Sequence, residues 1–117
     1  MHYSPGLHIL SEFNSEKAEY LFSSNPCKSL FERLITDNGL SKVGEVYHDF
    51  EGGGFTAMIC LTESHLSIHT WPEFGLATFD IFLSNYQRDN HNKVKDIYRE
   101  VLAFFEGKEL QKTELSR

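Results

Sequence analysis

The sequence predicts an α+β fold, a two-layer sandwich in which two helices cover one face of a mainly antiparallel sheet. Most of its apolar segments are short and alternate as strands do, whereas two segments carry apolar residues at helical spacing. Short turns separate the middle strands, so neighbouring strands are expected to pair antiparallel. A chain of 117 residues suits one domain, and we expect residues 1–117 to form it.

The first part of the chain predicts a strand followed by a helix. Residues 7–13 alternate as a strand covered on both faces, and residues 14–24 form a polar connection with room for one helical turn. Asn25 is the expected N-cap, with Pro26 at the first helical position and a stop at Asn38-Gly39. The apolar stripe of this helix consists of Leu30, Phe31, Leu34 and Ile35.

Strand patterns dominate the middle of the chain, and a second helix follows them. The predicted strands are residues 42–50, 55–62, 65–71 and 76–83. Residues 51–54 form a loop because three consecutive glycines need backbone freedom, and residues 72–75 form a turn. Residues 89–105 have helical spacing up to Gly107, and residues 108–117 are compatible with an additional edge strand.

The sequence argues against non-specific nucleic-acid binding, a membrane span and a signal peptide. Seventeen acidic residues against eleven basic ones give a net charge of −6, which argues against non-specific nucleic-acid binding. An acidic chain suits a small cationic ligand, and a solvated acidic surface explains the charge equally well. No apolar run is long enough to cross a membrane, and no signal-peptide pattern begins the sequence. We therefore expect a cytoplasmic protein without a membrane partner.

The two cysteines, Cys27 and Cys60, are too few for a disulfide framework and lack metal-site spacing. Two reduced thiols in a cytosolic protein are the simplest interpretation. Because Cys60 lies within the apolar strand 55–62, we expect it to belong to the core.

The densest polar stretch, residues 62–73, lies among otherwise apolar strands. Alternation places His65, Ser67, His69 and Trp71 on one face of the sheet. From this pattern alone, a solvated sheet face is as good an explanation as a functional site. His65 and His69 are about 13 Å apart along a strand, so we predict no metal site there.

This stretch resembles a known family signature. The run in question is Glu63-Ser64-His65-Leu66-Ser67-Ile68-His69-Thr70-Trp71-Pro72-Glu73. It is similar to the self-processing signature of the S-adenosylmethionine decarboxylase proenzymes of the short prokaryotic class. Residues 50–56, 74–82 and 8–13 also resemble the family, as do the length and the order of elements, so the resemblance covers nearly the whole chain.

The resemblance implies that the chain cleaves itself between Glu63 and Ser64, giving a β chain of residues 1–63 and an α chain of residues 64–117. The Ser64 hydroxyl would attack the Glu63 carbonyl, and elimination of the resulting ester followed by hydrolysis would leave a pyruvoyl group at residue 64. His69 matches the family's acid/base, a task that suits an imidazole with an ordinary pKa of about 6.5. Thr56 matches a hydroxyl that assists cleavage.

The resemblance also implies the reaction and its partners. The pyruvoyl group would act as an electron sink, forming a Schiff base with the substrate amine so that carbon dioxide can leave. Phe50 and Trp71 match aromatic positions that contact the adenine or the sulfonium, and Glu73 matches the carboxylate that holds the ribose hydroxyls. The implied substrate is cationic S-adenosylmethionine in spermidine biosynthesis, and the implied assembly is a homodimer of processed protomers.

The sequence departs from the family pattern at two positions. Gly52 stands where the family usually has a proline, and Ser84 stands where it usually has the cysteine thought to protonate the carbanion. Three interpretations stay open: an S-adenosylmethionine decarboxylase with another proton donor, a pyruvoyl-dependent decarboxylase of ornithine or arginine, or an unprocessed homologue acting as a binding or regulatory subunit. Intact Glu63, Ser64, Thr56 and His69 favour a processing enzyme.

Overall fold

A computed structural model describes residues 3–86 and 88–117. The chain forms a sheet with helices on one side, as the alternation of apolar residues predicts. The elements in order are β1 (Leu7–Asn14), α1 (Ala18–Phe22), α2 (Ser24–Asp37), β2 (Lys42–Asp49), β3 (Phe55–Leu61), β4 (Ser64–Trp71), a single 3₁₀ turn (Pro72–Phe74), β5 (Leu76–Leu83), α3 (His91–Phe105) and β6 (Lys108–Ser116).

The six strands form one sheet in the order β2-β3-β4-β5-β1-β6. Every neighbouring pair is antiparallel, which confirms the predicted α+β class and the antiparallel sheet. The chain's last strand, β6, pairs with β1 at one edge, so the tail adds the edge strand with which its sequence is compatible. Two long helices and the short α1 lie on the sheet.

The two faces of the sheet differ in what covers them. Alternate residues of β1, β3, β4 and β5 are buried under the helices, and they make up most of the core together with the apolar stripes of α2 and α3. The largest fully buried side chains include Phe13, Phe31, Phe55, Phe79 and Phe105. No helix formed by the described residues covers the other face, which is called the open face below. His8, Thr56, His65, His69 and Asp80 lie on it.

The start of the first long helix differs from the prediction. Helix α2 begins at Ser24, with Ser23 at the N-cap position, so Asn25 lies inside the helix instead of capping it. Pro26 is accommodated because the first-turn amides have no acceptor within the helix. The predicted stop is confirmed, since Asn38 is the C-cap and Gly39 has a φ of +65°.

The expectation that Cys60 belongs to the core is wrong. Residues 55, 57, 59 and 61 of β3 point toward the helices, whereas Thr56, Met58 and Cys60 point to the open face. Cys60 is exposed, and the buried cysteine is Cys27 on α2. The nearly continuous apolar run of β3 hid this one-sided burial, because Met58 and Cys60 are apolar residues on an uncovered face.

Candidate active site

Ser64 stands at the turn where β3 passes into β4. Leu61 pairs with Ser64 across these strands, and the exposed residues Thr62 and Glu63 join them. The backbone N–H of Ser84, just beyond the end of β5, donates a hydrogen bond of 2.9 Å to Ser64 Oγ. The structure therefore brings together the predicted cleavage bond and the residue at the family's cysteine position. Glu63, Ser64 and Ser84 are called the cleavage cluster below.

Ser84 is fixed by its own contacts. Its Oγ accepts a hydrogen bond of 3.0 Å from the Tyr86 amide, and its carbonyl accepts one of 2.7 Å from Asn90 Nδ2. A cavity of about 190 Å³ opens beside Ser64, and its lining includes Ser84, Tyr86 and Arg88. That volume is below the roughly 300 Å³ at which small-molecule pockets begin. The cavity beside the cleavage cluster is thus too small to enclose a nucleoside-sized substrate.

A hydroxyl and an imidazole form a second cluster. Thr56 and His69 are directly opposite on β3 and β4, and Thr56 Oγ1 lies 2.9 Å from His69 Nδ1. Both side chains are half-buried on the open face. The hydrogen bond fixes the orientation of the imidazole ring, as acid–base work requires. Thr56 and His69 are called the dyad below.

Within one chain the dyad does not reach Ser64. Ser64 begins β4 and His69 lies five residues further along the same strand, which corresponds to about 17 Å. Ser64 also pairs with Leu61, at the opposite end of β3 from Thr56. Sequence spacing alone already implied this distance, provided that residues 64–71 form one extended strand.

The three predicted substrate-binding residues lie at the dyad's end of the sheet. Phe50 is 49% exposed and stacks edge-on against His48, with ring centroids 4.9 Å apart. Trp71 is 37% exposed, and its ring centroid lies 6.3 Å from that of His69. Glu73 is exposed in the turn that follows β4. Neither aromatic ring belongs to the core, so both rings are available to a ligand.

The loop before the dyad has a conformation that a proline cannot adopt. Gly52 has a φ of +91°, whereas proline is held near −65°. A proline at position 52 would therefore require a different backbone conformation in the loop that follows Phe50.

A cluster of polar side chains surrounds His8, and the local sequence pattern does not predict it. His8 lies on β1 and is 5% exposed. Its Nε2 has no hydrogen-bond partner among the described residues and lies 3.9 Å from Asp80 Oδ2. On the other side of the ring, Arg117 Nη1 lies 3.3 Å from His8 Nδ1. The ring of His65, the residue after Ser64, meets the His8 ring edge-on at 5.5 Å. Burial lowers the pKa of His8, and Asp80 opposes this effect in part. Alternation along β1 places His8 on the open face, but only the pairing of β1 with β5 and β6 brings these groups together.

Among residues 3–86 and 88–117, no group of three or more histidine, cysteine, aspartate or glutamate side chains is arranged to hold a metal ion. Within the same residues no helix is long and apolar enough to cross a membrane.

The structure thus places a serine at the turn that begins β4 and a hydroxyl–imidazole dyad at the other end of the same strand. A serine, a threonine and a histidine are residue types of acyl transfer and acid–base chemistry. A sequence profile described as S-adenosylmethionine decarboxylase matches residues 7–117. The chain therefore belongs to the S-adenosylmethionine decarboxylase family.

Individual relatives agree with the family match. The S-adenosylmethionine decarboxylase proenzyme of Archaeoglobus fulgidus is 42% identical over 77 residues, which cover 66% of this chain and 69% of that protein. The Picrophilus torridus proenzyme is 35% identical over 97 residues, covering 83% of this chain and 74% of the relative. The Aquifex aeolicus proenzyme is 39% identical over 77 residues, covering 66% of this chain and 57% of the relative.

The fold has a counterpart among solved structures. The crystal structure of the adenosylmethionine decarboxylase from Aquifex aeolicus is similar to this chain, with a TM-score of 0.80 and 25% sequence identity. The match covers 99% of this chain and 91% of that one.

Proposed function

We propose that the chain is a proenzyme that cleaves itself between Glu63 and Ser64 and then decarboxylates S-adenosylmethionine. The observation that carries the proposal is the hydrogen bond of 2.9 Å from the Ser84 amide to Ser64 Oγ at an exposed turn. It holds the Ser64 hydroxyl at the turn that contains the exposed residues Thr62 and Glu63. Membership of the family and the similarity to S-adenosylmethionine decarboxylase proenzymes support the same activity.

Self-cleavage needs only groups that this chain supplies. The Ser64 oxygen attacks the Glu63 carbonyl carbon, the peptide C–N bond breaks, and an ester replaces the amide. A base removes the α-proton of Ser64, and the ester leaves as the new carboxylate of Glu63. Water then hydrolyses the unsaturated residue, and ammonia departs. The dyad has the groups for this work, since the imidazole moves protons and the Thr56 hydroxyl donates to developing negative charge.

The pyruvoyl group so formed would supply an electron sink for loss of carbon dioxide. The serine from which it derives begins β4 next to Ser84, so the group would lie at the mouth of the cavity beside the cleavage cluster. Phe50 and Trp71 would bind the adenine or the sulfonium, and a cation near an aromatic face gains about 0.5–2 kcal/mol. The Glu73 carboxylate would accept hydrogen bonds from the ribose hydroxyls.

The distance between the dyad and the cleavage cluster is our reason for proposing a homodimer. The dyad and Ser64 stand about 17 Å apart along β4, so one protomer's dyad does not serve its own Ser64 without a large rearrangement. A two-fold axis between two open faces, with the β4 strands running in opposite directions, brings the Ser64 end of each protomer against the His69 end of its partner. Each complete active site would then contain residues of both protomers.

The open face has the character that such an interface needs. Val46 is 60% exposed, Met58 is 43% exposed and Leu115 is 46% exposed on this face. Exposed apolar side chains on an uncovered sheet mark a surface for association.

Intact-mass measurement tests the self-cleavage directly. We expect two fragments, residues 1–63 and 64–117, with the second lighter than a serine-started chain by one molecule of ammonia. Ser64→Ala keeps the strand but lacks the attacking oxygen, so it should stay at full length. A wild-type chain that remains intact after long incubation would remove the proposal, and cleavage of Ser64→Ala would assign the cut to a protease.

Substrate identity is a separate measurement. Release of carbon dioxide from S-adenosylmethionine, ornithine and arginine should be followed in parallel on the cleaved protein. We expect S-adenosylmethionine to be the substrate. The changed loop at Gly52 and the serine at position 84 favour testing the two amino acids. Preference for either one would identify a related decarboxylase, and an uncleaved protein that still binds S-adenosylmethionine would identify a binding subunit.

A further inference from the structure

The junction between α1 and α2, residues 21–24, connects the helical layer to the ends of three strands. The Leu21 carbonyl accepts a hydrogen bond from the Thr70 hydroxyl near the end of β4, and the Phe22 carbonyl accepts one of 2.9 Å from the Gly54 amide before β3. The Ser24 amide and hydroxyl donate to the Asp49 carboxylate at the end of β2, at 2.7 and 3.0 Å. These contacts surround the end of the sheet that carries the dyad.

Thr70 makes the most deeply buried of these connections. It is 4% exposed, and its Oγ1 donates to the Leu21 carbonyl at 2.7 Å while accepting from the Phe55 amide at 2.9 Å. One hydroxyl therefore satisfies two buried backbone groups from distant parts of the chain. A valine at this position would have nearly the same shape but would leave both groups without a partner.

The position of Thr70 relative to the dyad gives these hydrogen bonds a further consequence. The pairing of β3 with β4 begins at Thr56 opposite His69, and the Phe55 amide, one residue earlier, bonds to the Thr70 side chain. The two residues that Oγ1 joins across the strands, Phe55 and Thr70, are thus the immediate chain neighbours of Thr56 and His69. Any slip between the strand ends at this point changes the 2.9 Å contact within the dyad.

We propose that Thr70 is a positioning residue, whose hydroxyl holds Thr56 and His69 in the geometry that self-cleavage uses. The inference rests on the proposed function, since the dyad has work to do only if the chain cleaves. Thr70 acts through the dyad, because its hydroxyl is directed into the helical layer and away from the open face.

A matched set of variants separates positioning from packing. Thr70→Val keeps the volume and removes both hydrogen bonds, whereas Thr70→Ser keeps the hydroxyl. Ser11→Ala is the control for general destabilisation, because the buried Ser11 hydroxyl donates to the Phe79 carbonyl at 3.0 Å on β1, two strands away from β4. Each chain is produced by cell-free synthesis, and its conversion to residues 1–63 and 64–117 is followed by intact mass across pH 5.5–8.5.

We expect Thr70→Val to cleave itself at least about tenfold more slowly than wild type, since small misplacements of reacting groups cost large factors in rate. The midpoint of its plot of cleavage rate against pH should also differ from that of wild type. Thr70→Ser and Ser11→Ala should cleave within about twofold of wild type. A folded Thr70→Val that cleaves at the wild-type rate with an unchanged midpoint overturns the proposal. So does a loss of rate in Ser11→Ala equal to that in Thr70→Val.

Two further outcomes are informative. If Thr70→Val does not fold, Thr70→Ala, which cannot overcrowd the site, is measured instead, and failure of both to fold assigns Thr70 to folding alone. If the wild-type chain stays intact, the proposed function fails separately. The variants are then compared by NMR titration of the His69 ring, whose contact with Thr56 the Thr70 hydroxyl should still control. An unchanged His69 titration in Thr70→Val would overturn the positioning role in that case also.

Discussion

The backbone N–H of Ser84 donates a hydrogen bond of 2.9 Å to the Oγ of Ser64. The two residues are twenty positions apart in sequence and meet because β5 ends beside the start of β4. The backbone of residue 84 therefore lies beside the residue at which the proposed reaction occurs, and both residues line the same cavity. Position 84 is consequently the place where a proton donor can be added or removed without rebuilding the fold.

Ser84→Cys should raise turnover or reduce inactivation during turnover. A thiol has a pKa of about 8.5 and is a far stronger acid than an aliphatic hydroxyl, so it delivers a proton to the substrate carbon more readily. The readouts are carbon dioxide release and the fraction of the 64–117 fragment converted to an alanine start. Ser67→Cys, which adds a thiol further along the open face, is the control. Equal kinetics for wild type and Ser84→Cys would place the proton donor elsewhere.

Thr56→Val should slow self-cleavage on the order of a hundredfold, the usual cost of removing one hydrogen-bond donor from developing charge. The variant keeps the branched shape of the side chain and loses the 2.9 Å contact with His69 Nδ1. Thr56→Ser retains the hydroxyl and should cleave close to the wild-type rate. Rapid cleavage by Thr56→Val would mean that His69 works without this contact.

Met58→Glu should prevent formation of the proposed dimer and stop self-cleavage in the same samples. It introduces a charge into the exposed apolar part of the open face, where Met58 is 43% exposed and pairs with Ser67 and Val46. Sedimentation velocity measures the association. Ser29→Glu, on the exposed side of α2, is the control and should leave both properties intact. A monomeric Met58→Glu that still cleaves would show that one chain contains a complete site.

The free energy of unfolding should fall when the pH drops from about 7.5 to about 5.5. Burial lowers the folded-state pKa of His8 below its ordinary 6.5. The unfolded chain then binds more protons between the folded pKa and 6.5, so stability is full above 6.5 and decreases as the pH falls through that window. Asp80 limits the effect, while His65 and Arg117 add to it.

Urea unfolding at fixed protein concentration measures this dependence. His8→Gln should lose part of the difference between the two pH values, whereas His91→Gln, at an exposed histidine, should retain it. The same slope in wild type and His8→Gln would assign the acid sensitivity to other groups.

Gly6→Ala should destabilise the protein by about 1–3 kcal/mol, the usual cost of overpacking. A Cβ at Gly6 would clash with the Leu83 carbonyl oxygen, and the backbone must shift to relieve that contact. Gly44→Ala is the matched control in β2, where nothing lies within 4 Å of the added carbon. Because Leu83 precedes Ser84, Gly6→Ala should also slow self-cleavage. Equal stability of the two variants in urea unfolding would contradict the expected crowding.

Local patterns predicted the elements whose burial is one-sided and regular. Strand β5 occupies residues 76–83 as expected, because its apolar residues alternate and a turn precedes it. Helix α2 begins at Ser24, two residues before the predicted first helical position at Pro26, and the Ser24 amide donates a hydrogen bond to the Asp49 carboxylate. That contact joins residues 25 positions apart, which local patterns do not report.

The sequence suggests the individual residues of the candidate site, but it does not predict how the strands arrange them in space. Alternation correctly places His65 and His69 on one face of the sheet. The assignment of Cys60 to the core is wrong, because an apolar residue on an uncovered face looks the same in sequence as a buried one. The cluster around His8 depends on β1 lying between β5 and β6, an arrangement that no single segment specifies.

The strand order determines what cleavage after Glu63 would leave behind. Residues 1–63 contribute β1, β2 and β3, and residues 64–117 contribute β4, β5 and β6, yet β1 lies between β5 and β6. Three of the five ladders in the sheet, β3–β4, β5–β1 and β1–β6, would join one fragment to the other. The two polypeptides would be interleaved, so neither leaves without unpairing the centre of the sheet. Cleavage of the backbone after Glu63 would therefore leave the two fragments held together by the sheet. Each fragment alone would lack the neighbouring strands with which its own strands pair.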